Sequence, residues 1–133
     1  MSVALTWRGP VANTELNALH AEGFGGSLVQ VDWERQLARY SLGWVVAQDA
    51  DRLVGFVNVA WDGGAHAFLL DTVVAVDHRG RGVGKALVQA AVDGATEAGC
   101  EWLHADWESG LDRFYTNACG FTPTSAGLHS LRG

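Results

Sequence analysis

Between Trp44 and Val76 the chain reads WVVAQDADRLVGFVNVAWDGGAHAFLLDTVVAV, and this stretch constrains the fold most. It is rich in Val, Phe and Trp, and only Asp49-Ala50-Asp51 and Asp62-Gly63-Gly64 interrupt it. Two tight turns between three β-prone runs predict an antiparallel meander over residues 44–49, 52–61 and 66–76. Downstream, Val83, Leu87, Ala90, Ala91, Ala95 and Ala98 recur at i, i+3, i+4 spacing. That period predicts an amphipathic helix ending near Gly99.

The flanks complete the pattern. SVALTWR reads as a first strand stopped by Gly9-Pro10, and NTELNALHAEGFG as a short helix with Asn13 or Thr14 as N-cap. DWERQLARYSLG reads as a second helix, with Asp32 capping it and Trp33, Leu37 and Tyr40 on one face. After the amphipathic helix, CEWLHAD predicts a fifth strand, GLDRFYTNAC a shorter helix closed by Gly120, and FTPTSAGLHSLR one or two terminal strands. The expected class is mixed α+β, a central mostly antiparallel sheet flanked by helices. At 133 residues, with no linker or repeat, the chain is expected to form a single domain over residues 1–133.

Composition narrows the function. The formal charge of −6 argues against general nucleic-acid binding, which needs a basic face, and weakly favours a cationic substrate. No apolar run approaches the ~20 residues a membrane-crossing helix needs, and a signal peptide's basic start and apolar middle are missing. Cys100 and Cys119 make neither a disulfide framework nor a C-x-x-C pair, so a reduced, cytoplasmic protein is expected. With His104 and His129 these cysteines lack metal-ligand spacing, and no metal is expected. Gly25-Gly26-Ser27 runs into Leu28-Val29 rather than the G-x-S-x-G elbow of a serine hydrolase.

Arg79, Arg81 and Lys85 are three of the nine basic residues, gathered within seven positions of an acidic chain. They flank a glycine turn, Arg79-Gly80-Arg81-Gly82-Val83-Gly84-Lys85. A P-loop would need glycine at Arg79 and a hydroxyl at Ala86, and a dinucleotide fingerprint would need glycine at Lys85. What remains is Arg79-x-x-Gly82-x-Gly84 between a strand and a helix. Glycines there let successive backbone N–H groups converge, and the helix start adds free amides and a positive dipole end. Two readings fit: a pyrophosphate cradle, or a glycine turn with solvated arginines.

Here the sequence resembles the Gcn5-related N-acetyltransferase family (GNAT). The family signature [RQ]-x-x-G-x-[GA] is matched by Arg79 to Gly84, and the aromatic pair shortly before Gly-Phe by FYTNACGF, Phe114 to Phe121. The order of elements agrees over nearly the whole chain, though the tail after Phe121 is short for the family. The resemblance implies acetyl-CoA as acetyl donor, with its pyrophosphate on the amides of Arg79, Gly80, Arg81, Gly82, Val83, Gly84 and Lys85. It implies a pantetheine arm pairing with backbone near Val74 and Val76, and a cleft where a bulge splays the fourth and fifth strands. A small-molecule or peptide amine would be the acceptor, by direct transfer in a ternary complex. A homodimer is also implied.

By the same resemblance Tyr115 protonates the leaving thiolate, and the Val74 N–H faces the developing oxyanion. Tyr115 stands five residues before Gly120, whereas many relatives have the tyrosine four before, where this chain has Thr116. An extra residue around Ala118-Cys119 would keep Tyr115 facing the thiol, with Leu111 four before it. Asp71 interrupts the apolar run AFLLDTVVAV, where a carboxylate is costly unless paired or functional. It is the candidate to bind a cationic acceptor or take its proton; a structural ion pair is the alternative. His66 and His104 are weaker base candidates, and Trp33 and Trp44 fit either an amine pocket or the core. Glu108 replaces the asparagine that many relatives place seven before the tyrosine to contact the cofactor, which leaves a cofactor contact from that segment open. A different class of function also fits the sequence: an acyl-CoA sensor or assembly module with little turnover.

Overall fold

The computed structural model describes residues 2–25 and 29–133; Gly26, Ser27 and Leu28, where the hydrolase elbow was sought, lie outside the described residues. Five strands form one sheet in the order β1 (Val3–Trp7), β2 (Ser41–Asp49), β3 (Arg52–Trp61), β4 (His66–Val74) and β5 (Trp102–His104). The first four pair antiparallel and β5 joins β4 in parallel. Helices α1 (Asn13–Phe24) and α2 (Trp33–Tyr40) contact the sheet through β2, β3 and β4, and α3 (Val83–Glu97) contacts β1 to β4. The mixed α+β class and the meander are as expected. The predicted second run matches β3 residue for residue.

The two faces of the sheet are filled differently. On one, Trp33 of α2 meets Phe56 of β3 edge-on at 5.8 Å, over fully buried Val46. On the other, Leu87 and Val83 of α3 lie close to Gly55 of β3, within the buried core. Trp7 lies flat against Gly43 of β2 and Gly94 of α3, where a Cβ on either glycine would run into its ring. This close approach explains both glycines: each leaves room for an indole that closes the sheet–helix layer.

Several boundaries differ from the sequence reading. The N-cap of α1 is Ala12, without a side-chain cap. Asn13 instead reaches the start of α2, its Nδ2 donating to Asp32 Oδ1 at 3.1 Å while its Oδ1 accepts from Glu34 N–H at 2.9 Å. Asp32 does cap α2, accepting from Arg35 N–H. Tyr40 leaves the predicted apolar face and is 64 % exposed, at the last position of α2, where the chain passes directly into β2 at Ser41. Residues Val76–His78 form a 3-10 turn rather than the end of β4. Among the described residues, no strand forms after β5. Leu128 and Leu131 are exposed, so Phe121 to Arg132 bury too little apolar surface to hold a hairpin, and Pro123 cannot donate to a ladder. No described helix is long and apolar enough to cross a membrane.

Candidate active site

The site begins with a mismatch of one residue. Phe56 pairs with Val73 and Asn58 with Leu70, so Val57 of β3 stands opposite both Asp71 and Thr72 of β4. Such a bulge bends its strand and re-aims side chains. Asp71 takes φ +60°, a left-handed conformation that aspartate tolerates better than most residues. The β5 ladder ends at the Phe68–His104 pair, while β4 runs on to Val74. Beyond that pair the two strands part and open a cavity of about 1210 Å³. The splay that the resemblance implied is therefore present.

Neighbouring bulge residues serve opposite sides of this opening. Asp71 Oδ1 lies 3.1 Å from His20 Nε2 of α1. The Thr72 side chain lies near the Tyr115 phenol. Tyr115 is buried, stacked on Trp107 at 4.8 Å and edge-on to Phe114 and Phe121. Burial pushes its phenol above the usual tyrosine range, the Thr72 side chain pulls it back by less, and Cys119 and Asp106 add a smaller upward push. The phenol therefore keeps its proton at neutral pH.

The displaced spacing of Tyr115 has a physical explanation in a π-helical turn, Arg113–Ala118. Tyr115 N–H donates to Leu111 O at 3.1 Å in ordinary helical fashion, but Cys119 N–H skips one residue and reaches Phe114 O at 3.0 Å. Such a widened turn accommodates one inserted residue without unwinding the helix. The extra residue is thus absorbed after Tyr115, and its ring position is set from the N-terminal side. Thr116, at the family's more usual spacing, turns its hydroxyl back to Asp112 O and does not line the cavity. Burial pushes the Cys119 thiol up, with Lys85 lowering it by less, which makes it a poor nucleophile.

The glycine turn borders the same cavity. Gly80 and Gly82 take φ +74° and +83°, and Gly82 is the N-cap of α3. Added Cβ atoms at either position would meet nothing within 4 Å, so backbone conformation rather than crowding demands glycine there. Left-handed residues at alternate positions form an anion-binding concavity, and the amides at the start of α3 extend it. Arg79, Gly80, Gly82, Val83, Gly84 and Lys85 all line the opening. The groups present suit a pyrophosphate. Val76 and Arg81 stand outside the lining, and the Val76 amide already donates to Glu22 Oε1 at 3.3 Å. Ala75 donates its N–H inward to Val54, so strand alternation turns the Val74 amide and carbonyl outward. The Val74 carbonyl accepts from Arg79 Nε at 3.1 Å.

His78 was not singled out from sequence. It is buried between two carboxylates, with Nε2 2.8 Å from Asp49 and Nδ1 2.8 Å from Asp77. Asp77 is held in turn by both guanidinium nitrogens of Arg52. The bonds to Asp49 and Asp77 raise the imidazole above its usual range, against a smaller opposing effect of burial. A raised folded-state pKa means stability that is fully present below about 6.5 and fades as pH rises through the folded value. His78→Gln is therefore expected to flatten the alkaline fall in stability between neutral pH and pH 9, read as the urea midpoint across pH. A variant with the same slope as the parent would remove His78 from this role. Asp77 behaves oppositely: Arg52 first, then His78, hold it below the usual carboxylate range, so its contribution is lost as pH falls.

The remaining candidates separate cleanly. His66 Nδ1 and His104 Nε2 face each other at 2.6 Å, and His104 stacks on Phe68. This pair lies five residues along β4 from Asp71, about 16 Å in an extended strand, and does not line the cavity. Trp33 is core, its Nε1 donating to Asn17, and Trp44 donates to Gly9 O. The tryptophan that does line the opening, among the described residues, is Trp107, beside Glu108. Among the described residues, no group of three or more His, Cys, Asp and Glu side chains could hold a metal ion.

No curated protein matches this sequence. Solved structures do match its fold. An acetyltransferase from Trypanosoma brucei superposes with a TM-score of 0.79 at 19 % identity, over 97 % of this chain and 99 % of that one. Glucosamine-6-phosphate N-acetyltransferase from Arabidopsis thaliana gives 0.74 at 17 %, over 96 % and 97 %. The enzyme AAC(6')-Iy, in complex with the bisubstrate analogue CoA-S-monomethyl-acetylneamine, gives 0.73 at 18 %, over 98 % and 97 %. In sequence, the profile described as the Acetyltransferase (GNAT) family matches residues 13–121, and with the signature turn, the bulge and the splayed strands in place, the chain belongs to the GNAT acetyltransferases.

Proposed function

We propose that this protein transfers the acetyl group of acetyl-CoA directly to a primary amine, both substrates being bound together. One observation carries the reading: a single bulge directs Asp71 toward α1 and Thr72 toward Tyr115, within a cavity that the signature turn also lines. The acyl donor and an acceptor thus have separate approaches to one point.

Bound acetyl-CoA would supply the activated thioester. The amides from Arg79 to Lys85, with the cationic side chains of Arg79 and Lys85, would hold its pyrophosphate. The Val74 N–H faces the opening, where it would donate to the thioester oxygen as charge develops. Its carbonyl, taken by Arg79, and the Val76 amide, taken by Glu22, would exchange partners on binding. Tyr115, protonated at neutral pH, would give its proton to the departing sulfur. Asp71 would receive the acceptor's ammonium and its proton, since an alkylamine with a pKa near 10.4 is charged at neutral pH. With no covalent enzyme adduct, orientation carries much of the rate. A reduced, cytoplasmic homodimer belongs to this reading, supported by the free Cys100 and Cys119 and by Trp102, 66 % exposed at the open edge of β5.

The test is thermal unfolding with acetyl-CoA, with adenosine diphosphate and NAD as controls, followed by release of the CoA thiol in the presence of amines. Neamine, glucosamine 6-phosphate and a lysine peptide sample three acceptor chemistries. Ligand at a hundred times its Kd adds about 2.7 kcal/mol of stability, a readily measured shift. A shift specific to acetyl-CoA together with thiol release is expected. Equal shifts from all three, each of which carries a pyrophosphate, would overturn the specificity for acetyl-CoA, and no shift from any would overturn the cradle. Binding without release from any amine would leave the acyl-CoA sensor as the better reading.

A further inference from the structure

Behind Asp71, on the α1 side and just outside the cavity lining, stands an imidazole that neither the signature nor the glycine turn foreshadows. His20 lies on α1, 51 residues from Asp71 in the chain, yet its Nε2 sits 3.1 Å from Asp71 Oδ1. The ring is held on two sides, by Phe24 at 4.5 Å and Trp33 at 5.2 Å between centroids. Its side chain remains 30 % exposed, and that of Asp71 26 %. The ring is therefore fixed in orientation while still reaching water. Its partner adopts a left-handed conformation within a strand, a state that persists only where the surroundings determine it. An ion pair serving stability alone would not require a bulge.

From this geometry we infer that His20 is the outlet for the acceptor's proton and acts through Asp71. The inference rests on the proposed transfer reaction and deepens it. Asp71 takes a proton from the acceptor ammonium at one carboxylate oxygen. His20, starting with its proton on Nδ1, takes the proton from Oδ1 at Nε2, the imidazolium releases the Nδ1 proton to water, and exchange with water moves the remaining proton from Nε2 back to Nδ1, so that charge and tautomer are both restored. No bond other than N–H and O–H changes. Other charged or titratable groups nearby are engaged elsewhere: Glu22 of α1 at the Val76 amide, Arg79 at the Val74 carbonyl and Tyr115 beside Thr72. Phe24 and Trp33, which pack on the ring, carry no charge. The outlet gives the proton a path away from the bound amine, so that Asp71 is ready when the next acceptor arrives. His20 is thus a positioning and relay residue, and its effect should fall on kcat more than on KM for the amine.

His20→Gln keeps a donor for Asp71 but cannot carry a proton through the ring, whereas His20→Ala leaves a ring-sized gap between Phe24 and Trp33. With saturating acetyl-CoA and neamine as the acceptor probe, both are expected to lower kcat about 10- to 100-fold, within the range of proton-transfer catalysis. Added imidazole should restore much of the rate to His20→Ala and none to Asp71→Asn. A His20→Gln variant with the parent rate and pH profile would overturn the relay, as would a His20→Ala loss that imidazole leaves unchanged. A readout needing no acceptor is the nitrogen-15 spectrum of the His20 ring. Loss of its hydrogen-bond signature in Asp71→Asn supports the pair, and an unchanged ring spectrum overturns it. If no amine is acetylated by the parent protein, the transfer reading fails while the ring spectrum still decides whether the pair exists.

Discussion

Gly82→Val is expected to weaken acetyl-CoA binding about 100-fold, with a much smaller effect on the fold. Gly82 has φ +83°, and nothing lies within 4 Å of where its Cβ would be, so the substitution causes no clash. Left-handed backbone costs an ordinary residue roughly 1–2 kcal/mol, and a β-branched one more. The variant can relieve that strain by rotating the turn, and rotation moves the amides at the start of α3 off their common point. Hydrogen bonds to a charged group contribute about 1.5–3 kcal/mol each, so losing one or two accounts for two decades of affinity. Calorimetric titration with acetyl-CoA and thermal unfolding of the free protein separate the effects. Unchanged affinity would mean that the pyrophosphate does not rest on this turn.

Tyr115→Phe should lower kcat by about 100-fold or more while acetyl-CoA affinity stays near the parent value. The ring would still stack on Trp107 and keep its edge-on neighbours, so the packing survives. What disappears is a proton donor whose burial keeps it protonated through neutral pH. Stability should change by no more than about 1 kcal/mol, the usual net value of one hydrogen bond, because only the hydroxyl is removed. Single-turnover release of the CoA thiol isolates the chemical step. A variant as fast as the parent would mean that another group, or water, protonates the sulfur. Thr72→Val should share part of the loss if Thr72 orients the phenol.

Much of the fold was legible because its signals are local. Alternating and continuous β-branched runs specify strands, the i, i+3, i+4 spacing after Val83 specifies α3, and the glycines at 80 and 82 report a backbone that only they adopt freely. The terminal strands were misread for the same reason. FTPTSAGLHSLR has strand-like letters, but a strand forms only against a partner, and β5 is three residues long. Tyr40 was misplaced because helical spacing cannot show where α2 stops and β2 begins. The π-helical turn behind Tyr115 was legible as an extra residue, though not as a particular hydrogen bond.

The amino-acid sequence by itself determined the element order through β5, the glycine turn and the family, since each depends on residues close together in the chain. Only the tertiary structure decided what faces what. His20 meets Asp71 across 51 residues, Thr72 meets Tyr115 across the gap between β4 and the π-helical turn, and His78 meets Asp49 from the far end of the meander. A bulge is a mismatch between two strands, so no single strand's sequence reveals it, and its two residues acquire their roles only once α1 and Tyr115 have packed on either side.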